Sequence, residues 1–158
     1  MKKVCLVLVL FAFTTLVNAQ EIKKVKAAEV VKMINESTTP LIINFWATWC
    51  RPCVNELNYF EKVVDKFKDQ NVKLVLISVD YPDYYNTVVS FVKSRGYKAT
   101  VYWLDEQETS VIQSSIDKGF EGVIPATLMV NKAKNYRVFH SGQLTENTLK
   151  KEIEKLVK

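Results

Sequence analysis

The chain is poor in metal-binding side chains. Its 158 residues include one histidine, His140, and three cysteines. Zinc takes four nitrogen or sulfur ligands in a structural site and three in a catalytic one. His140 lies far along the chain from the cysteines, so neither a resident metal nor an organic cofactor is expected. Charge is also unremarkable: 22 basic against 17 acidic residues gives +5, too mild to point to a nucleic-acid partner. Four glycines and four prolines leave ordinary globular composition, with no repeat, low-complexity stretch or internal linker. The longest uncharged apolar run, 4–17, holds about 14 residues, fewer than the ~20 needed to span a bilayer.

That run nevertheless has a purpose. Lys2 and Lys3 precede it, and Val17-Asn18-Ala19 closes it with small or modest side chains. This pattern predicts a secretory signal peptide over residues 1–19, cut after Ala19, with residues 20–158 as one domain. A retained membrane anchor is the competing reading. A lipoprotein anchor fits poorly, because Cys5 sits at the front of the run. Cleavage removes two lysines and no acid, so the charge falls from +5 to +3. It also removes Cys5 and leaves Cys50 and Cys53. Exported proteins commonly use cysteines as structural staples. A loop of two residues constrains an unfolded chain very little, so this pair is better explained by chemistry.

The remaining chain alternates between two periodicities. Residues 21–26 are polar and suit a short edge strand or a tail. A helix is expected over Ala27–Asn35, with Ala28, Val31, Met33 and Ile34 inward. The continuous apolar run Leu41–Trp46 reads as a strand buried on both faces. From Cys53 to Lys68, Val54, Leu57, Phe60, Val63, Val64 and Phe67 recur at helical spacing. Further strands are expected at 72–79, 100–104, 127–130 and 136–140. Further helices are expected at 84–95, stopped by Gly96, at 106–117 and at 146–157. The last has Thr145 as N-cap, with Leu144 and Leu149 as a hydrophobic staple. Strands separated by helices imply parallel pairs with right-handed crossovers, and the close final pair implies an antiparallel hairpin. The fold class is α/β: a central mixed sheet with helices on both faces.

The two cysteines therefore stand where a strand ends and a helix begins. Unpaired N–H groups and the helix dipole favour negative charge there, and a thiol in that position ionises more readily. Trp-Cys-x-x-Cys in this setting reads as a redox motif.

Phe45-Trp46-Ala47-Thr48-Trp49-Cys50-Arg51-Pro52-Cys53 resembles the active-site segment of the thioredoxin superfamily. It is most similar to the exported TlpA/ResA-like thiol-disulfide oxidoreductases. Ile124-Pro125-Ala126-Thr127 resembles the superfamily's cis-proline loop. Ser78-Val79-Asp80 followed by 84–104 resembles the extra helix and strand of the TlpA-like branch. The resemblance covers Ala27 to the C-terminus and implies a thioredoxin fold. It also implies roles. Cys50 would be the attacking thiolate and Cys53 the more buried, resolving cysteine, the two forming a redox-active disulfide. Arg51 would add positive charge beside the sulfurs, or else simply point to solvent. Pro125 would kink the loop toward the cysteines through a cis bond. The Ile124 backbone would pair with an extended substrate, and Trp49 would offer it an apolar contact.

Two positions depart from the family pattern. Thioredoxins proper carry a buried Asp where this chain has Asn44. Glu56, three residues after the inner cysteine, is then the candidate proton-handling group, because it lies about one turn beyond Cys53 on the same side. Partial burial would raise its pKa; a solvated helix Glu is the competing reading. Asn58 replaces a helix-kinking proline, so a straighter helix is expected. Trp46 reads as core and His140 as a strand residue without catalytic work. Tyr81, Tyr84 and Tyr85 form either a partner surface or ordinary loop tyrosines.

The function this implies is exchange of disulfides with exported proteins, in the reducing direction, by a periplasmic or otherwise extracytoplasmic monomer. A membrane thiol transporter of the DsbD/CcdA kind would re-reduce it, and clients would include apocytochromes or other exported proteins. A dithiol oxidase or isomerase using the same site remains open, as does a binding module with incidental cysteines. A thiol peroxidase is disfavoured, because the chain lacks Pro-x-x-x-Thr-x-x-Cys.

Overall fold

The computed structural model describes residues 22–106 and 115–158. The strands are β1 (Lys23–Val25), β2 (Leu41–Trp46), β3 (Lys73–Ser78), β4 (Thr100–Leu104), β5 (Ala126–Asn131) and β6 (Tyr136–Ser141). They form one sheet in the order β1-β4-β3-β2-β5-β6. The first four run parallel to their neighbours, while β5 is antiparallel to β2 and β6 to β5. The α-helices are α1 (Ala27–Glu36), α2 (Arg51–Asp65), α3 (Tyr85–Arg95) and α4 (Glu146–Val157).

Strand β2 is the centre of the molecule, and all six of its residues are buried. Successive side chains on a strand point to opposite faces, and β2 divides accordingly. Ile42 and Trp46 pack with the apolar stripes of α2, α3 and α4, including Leu57, Phe60, Val88, Val92, Leu149 and Ile153. Leu41, Ile43 and Phe45 pack on the other face with Ala27, Val30 and Ile34 of α1 and with Ile116 and Phe120. Helices thus cover both faces, as the sequence implied. By the same alternation, Asn44 shares the face of Ile42 and Trp46, which places a buried amide beneath α2.

Several boundaries follow local chemistry. Gly96 stops α3 at φ 63°, its N–H bonding the Val92 carbonyl at 3.0 Å; without a Cβ, glycine adopts that conformation at no steric cost. Thr145 caps α4 by accepting the Thr148 N–H at 3.2 Å. The polar stretch 21–26 supplies an edge strand, β1, parallel to β4.

Other expectations need correction. In α1 it is Ala27, Val30 and Ile34 that are buried, with Val31 and Met33 half-buried and Ala28 exposed. Val31, Met33 and Ile34 thus face the core as expected, and only Ala28 does not, its place in the stripe being taken by Ala27 and Val30. Helix α2 starts at Arg51 rather than Cys53, because Cys50 itself is the N-cap. It ends at Asp65, and a 3-10 turn at Lys68–Gln70 follows. The expected helix over 106–117 falls mostly outside the described residues. Of the remainder, Ser115 and Ile116 are helical, and Glu106 and Asp117 are not.

Candidate active site

The site is built at the junction of β2 and α2. The turn Ala47-Thr48-Trp49-Cys50 closes with the Cys50 N–H on the Ala47 carbonyl, 3.1 Å. Cys50 then caps α2: its Sγ accepts the Cys53 N–H at 3.3 Å, and Pro52 occupies the first turn. Cys50 and Cys53 are joined, Sγ to Sγ, at 2.06 Å. Cys53 is completely buried, while Cys50 retains 6% exposure. The outer sulfur is therefore the accessible one, and it lies where the helix N–H groups converge.

The predicted residues fall into two sets. Arg51 is exposed at the start of α2. Trp49 is 54% exposed and stacks on Tyr81 with ring centroids 6.4 Å apart. The Ile124–Pro125 peptide is cis. Ile124 is half-buried and packs against both apolar clusters. Pro125 is buried, and its carbonyl accepts the Gly142 N–H at 2.8 Å. Because β5 pairs with β2, Ala126 lies opposite Phe45 and Thr127 opposite Asn44. The sheet register thus carries the Pro125 loop to the same end of β2 as the cysteines.

Glu56 points inward from α2 and is fully buried. Its Oε1 accepts the Asn44 amide N–H at 2.7 Å, and its Oε2 accepts the Leu144 backbone N–H at 3.0 Å. Burial dominates these two neutral donors and pushes the carboxyl up to about 7. Asn44 also donates to Thr127 Oγ1 at 3.0 Å, while its own Oδ1 has no hydrogen-bond partner. One amide thus ties Glu56 to the strand that follows Pro125. Tyr59 completes the arrangement by donating its hydroxyl to the Leu144 carbonyl.

Other candidates separate from the site. Trp46 is core, packed against Phe91 at 5.4 Å. Asn58 lies exposed within an uninterrupted α2. His140 lies on β6 near Glu152, at 3.7 Å. The tyrosine cluster divides: Tyr81 and Tyr84 are exposed, whereas Tyr85 donates its hydroxyl to the Ile22 carbonyl at 2.9 Å and meets Trp103 edge-on. Tyr85 is therefore structural.

Sequence reasoning missed Thr127, the Leu144 backbone and Asp80. The first two join the site only through sheet pairing and packing of the loop before α4. Asp80 had a local signal, the Ser78-Val79-Asp80 spacing, in which a hydroxyl two residues away can serve a carboxylate. Among the described residues no cluster of three metal-ligating side chains occurs.

Comparison with known proteins agrees with this architecture. The chain is 26% identical over 121 residues to thiol-disulfide oxidoreductase ResA of Halalkalibacterium halodurans, covering 72% of this chain and 60% of that protein. It is 29% identical over 123 residues to the protein of the same name from Bacillus thuringiensis, covering 73% and 62%. The chain thus spans about three fifths of the length of these curated relatives. A crystal structure of a thiol:disulfide interchange protein of the thioredoxin family from Chlorobium tepidum superimposes with a TM-score of 0.63. That pair is 21% identical, with 80% of this chain and 85% of the other covered. At that identity the likeness concerns the fold, which is the thioredoxin fold. Residues 11–138 match the AhpC/TSA family, and the chain belongs to that family.

Proposed function

We propose that this protein is a thiol-disulfide oxidoreductase that reduces disulfides in exported proteins through Cys50 and Cys53. The observation that carries this reading is the Cys50–Cys53 pair at the N-terminus of α2, with a buried glutamate of raised pKa one helical turn further in. The names of the curated relatives support the reaction class.

In the reduced protein, the Cys50 thiolate attacks one sulfur of a client disulfide. A bond forms between Cys50 Sγ and that sulfur, and the other client sulfur leaves as a thiolate and takes a proton from water. Cys53 then gives its proton to the Glu56 carboxylate and attacks Cys50 Sγ. The second client sulfur departs, leaving an oxidised Cys50–Cys53 pair. A general base serves best with a pKa near the working pH, which a carboxyl at about 7 meets. Arg51 favours the Cys50 thiolate, Trp49 contacts the client, and the Ile124 backbone pairs with an extended client segment as an added strand. A membrane dithiol donor of the DsbD/CcdA kind returns two electrons and two protons. Residues 1–19 act as the export signal, placing an extracytoplasmic monomer among clients such as apocytochromes.

Insulin reduction driven by dithiothreitol tests the reaction. Wild type accelerates it and Cys50→Ser does not; equal rates would leave a binding module with incidental cysteines. Direction is tested by the reduction potential. A value near about −270 mV fits a reductant, and one near about −120 mV an oxidant.

A further inference from the structure

Asp80 is a second buried carboxylate beside the site, and the reaction above makes no use of it. It is 2% exposed and sits just beyond the end of β3. Its Oδ1 accepts the Thr48 hydroxyl at 2.5 Å, and its two oxygens share the Thr48 N–H at 3.1 and 3.0 Å. Its Oδ2 also accepts the Ser78 hydroxyl at 2.7 Å, and that same hydroxyl accepts the Asp80 N–H at 3.2 Å. The Asp80 carbonyl takes the Trp103 indole N–H at 2.9 Å, and the adjoining Val79 N–H bonds the Trp46 carbonyl at 2.8 Å.

These contacts converge on one place. Thr48 is an inner residue of the turn that ends at Cys50, and Asp80 holds both its backbone and its side chain. Trp49, the next residue, stacks on Tyr81, the neighbour of Asp80. The turn is thus fastened from the side by the end of β3. Its other end is the N-cap of α2, where Cys50 Sγ meets the Cys53 N–H.

We infer that Asp80 is a positioning residue: by clamping Thr48 it fixes the Trp49–Cys50 turn so that Cys50 Sγ stays on the N-terminal axis of α2. The inference rests on Cys50 being the reacting sulfur. Thiolate stabilisation by a helix N-terminus falls off within a turn, so a small displacement of the turn weakens it. A carboxylate suits the clamp because it accepts from several donors and presents none. An amide at position 80 would turn an N–H toward a donor from Thr48 or Ser78.

The test is the rate at which iodoacetamide alkylates Cys50 in the dithiothreitol-reduced full chain at pH 7, read from the Cys50 peptide by mass spectrometry. Thr48→Val keeps the charge of Asp80 and removes one strand of the clamp; alkylation slows by about threefold, the scale of a weakened helix-terminus interaction. Thr48→Ser restores the hydroxyl and the wild-type rate. Asp80→Asn slows the reaction as well, despite losing a negative charge that would by itself disfavour the thiolate. Urea midpoints verify that each variant is folded; if Asp80→Asn does not fold, the two Thr48 variants decide alone. A rate in Thr48→Val equal to wild type, or faster alkylation in folded Asp80→Asn, overturns the inference. Wild-type insulin reduction is measured alongside. Its absence together with the Thr48 pattern sinks the proposed reaction and leaves the clamp standing.

Discussion

Two buried glutamates in this molecule have been given opposite surroundings. Glu56 lies three residues after Cys53 on α2, and its partners are an amide and a backbone N–H, both neutral. Burial therefore prevails and its carboxyl is pushed up to about 7. Glu152 on α4 is 9% exposed, and burial pushes it upward too. There, however, the Lys155 ammonium and the Tyr136 hydroxyl donate to it at 2.7 Å each, with His140 nearby at 3.7 Å. Together they hold it below the usual carboxylate range. Depth and counter-ion act together: Glu56 is fully buried among neutral donors, whereas Glu152 lies nearer the surface with an ammonium in contact. The first arrangement suits a group that exchanges protons at neutral pH, and the second suits one that only braces α4 against β6.

The sharpest way to break this contrast is at Glu56. A carboxyl raised on folding keeps its proton in the native chain while the unfolded chain has already lost it. Stability therefore falls as pH rises from 4.5 to about 7 and then levels off. The gap corresponds to about 3 kcal/mol. Glu56→Gln removes this slope, so its stability relative to wild type improves by up to about 3 kcal/mol between pH 4 and pH 8 in urea titrations. The same variant loses the pH dependence of insulin reduction near neutrality. Identical stability slopes in the two proteins would mean that Glu56 titrates normally.

A middle-sized effect is expected at Asn44. Asn44→Ala removes the donor that restrains Glu56 and leaves Thr127 Oγ1 without it. Such a change costs about 1–3 kcal/mol, and the Glu56 midpoint, followed by carbon-13 NMR of its carboxyl, moves further above its wild-type value.

Glu152→Gln should show the smallest change, and one of opposite sign. A carboxyl lowered on folding contributes stability above its unfolded pKa, and that contribution disappears as pH falls through the folded value. The variant is therefore less stable at pH 7, by about 1 kcal/mol for a weakened charge-assisted hydrogen-bond set. The difference shrinks toward pH 3. Thermal melts at the two pH values check it, and unchanged insulin reduction completes the contrast with Glu56.

Much of this was legible before folding was considered. The apolar run of β2, the helical spacing after it and the cysteines between them are local patterns, and each survives as an element. The α4 boundaries and the Thr145 cap are local for the same reason. In helix α1 the spacing picks out Val31, Met33 and Ile34, but Ala27 and Val30 rather than Ala28 complete the buried stripe, because such a stripe is set by what the chain packs against as well as by spacing. Tyr85 was grouped with Tyr81 and Tyr84 because they are neighbours in sequence, yet only Tyr85 turns inward to reach Ile22.

The sequence by itself determined where the outer sulfur of the cysteine pair would be: a strand, a turn and a helix cap lie within a dozen residues, so short-range rules decide them. Tertiary structure alone decided what surrounds that sulfur. Glu56 meets Leu144 across 88 residues and Thr48 meets Asp80 across 32. Those meetings depend on strand order and register, in which one residue's slip would turn Asn44 to the other face of the sheet. The reactive pair is a local feature of the chain. The acid beneath it and the clamp beside it exist only because the sheet brings distant segments together.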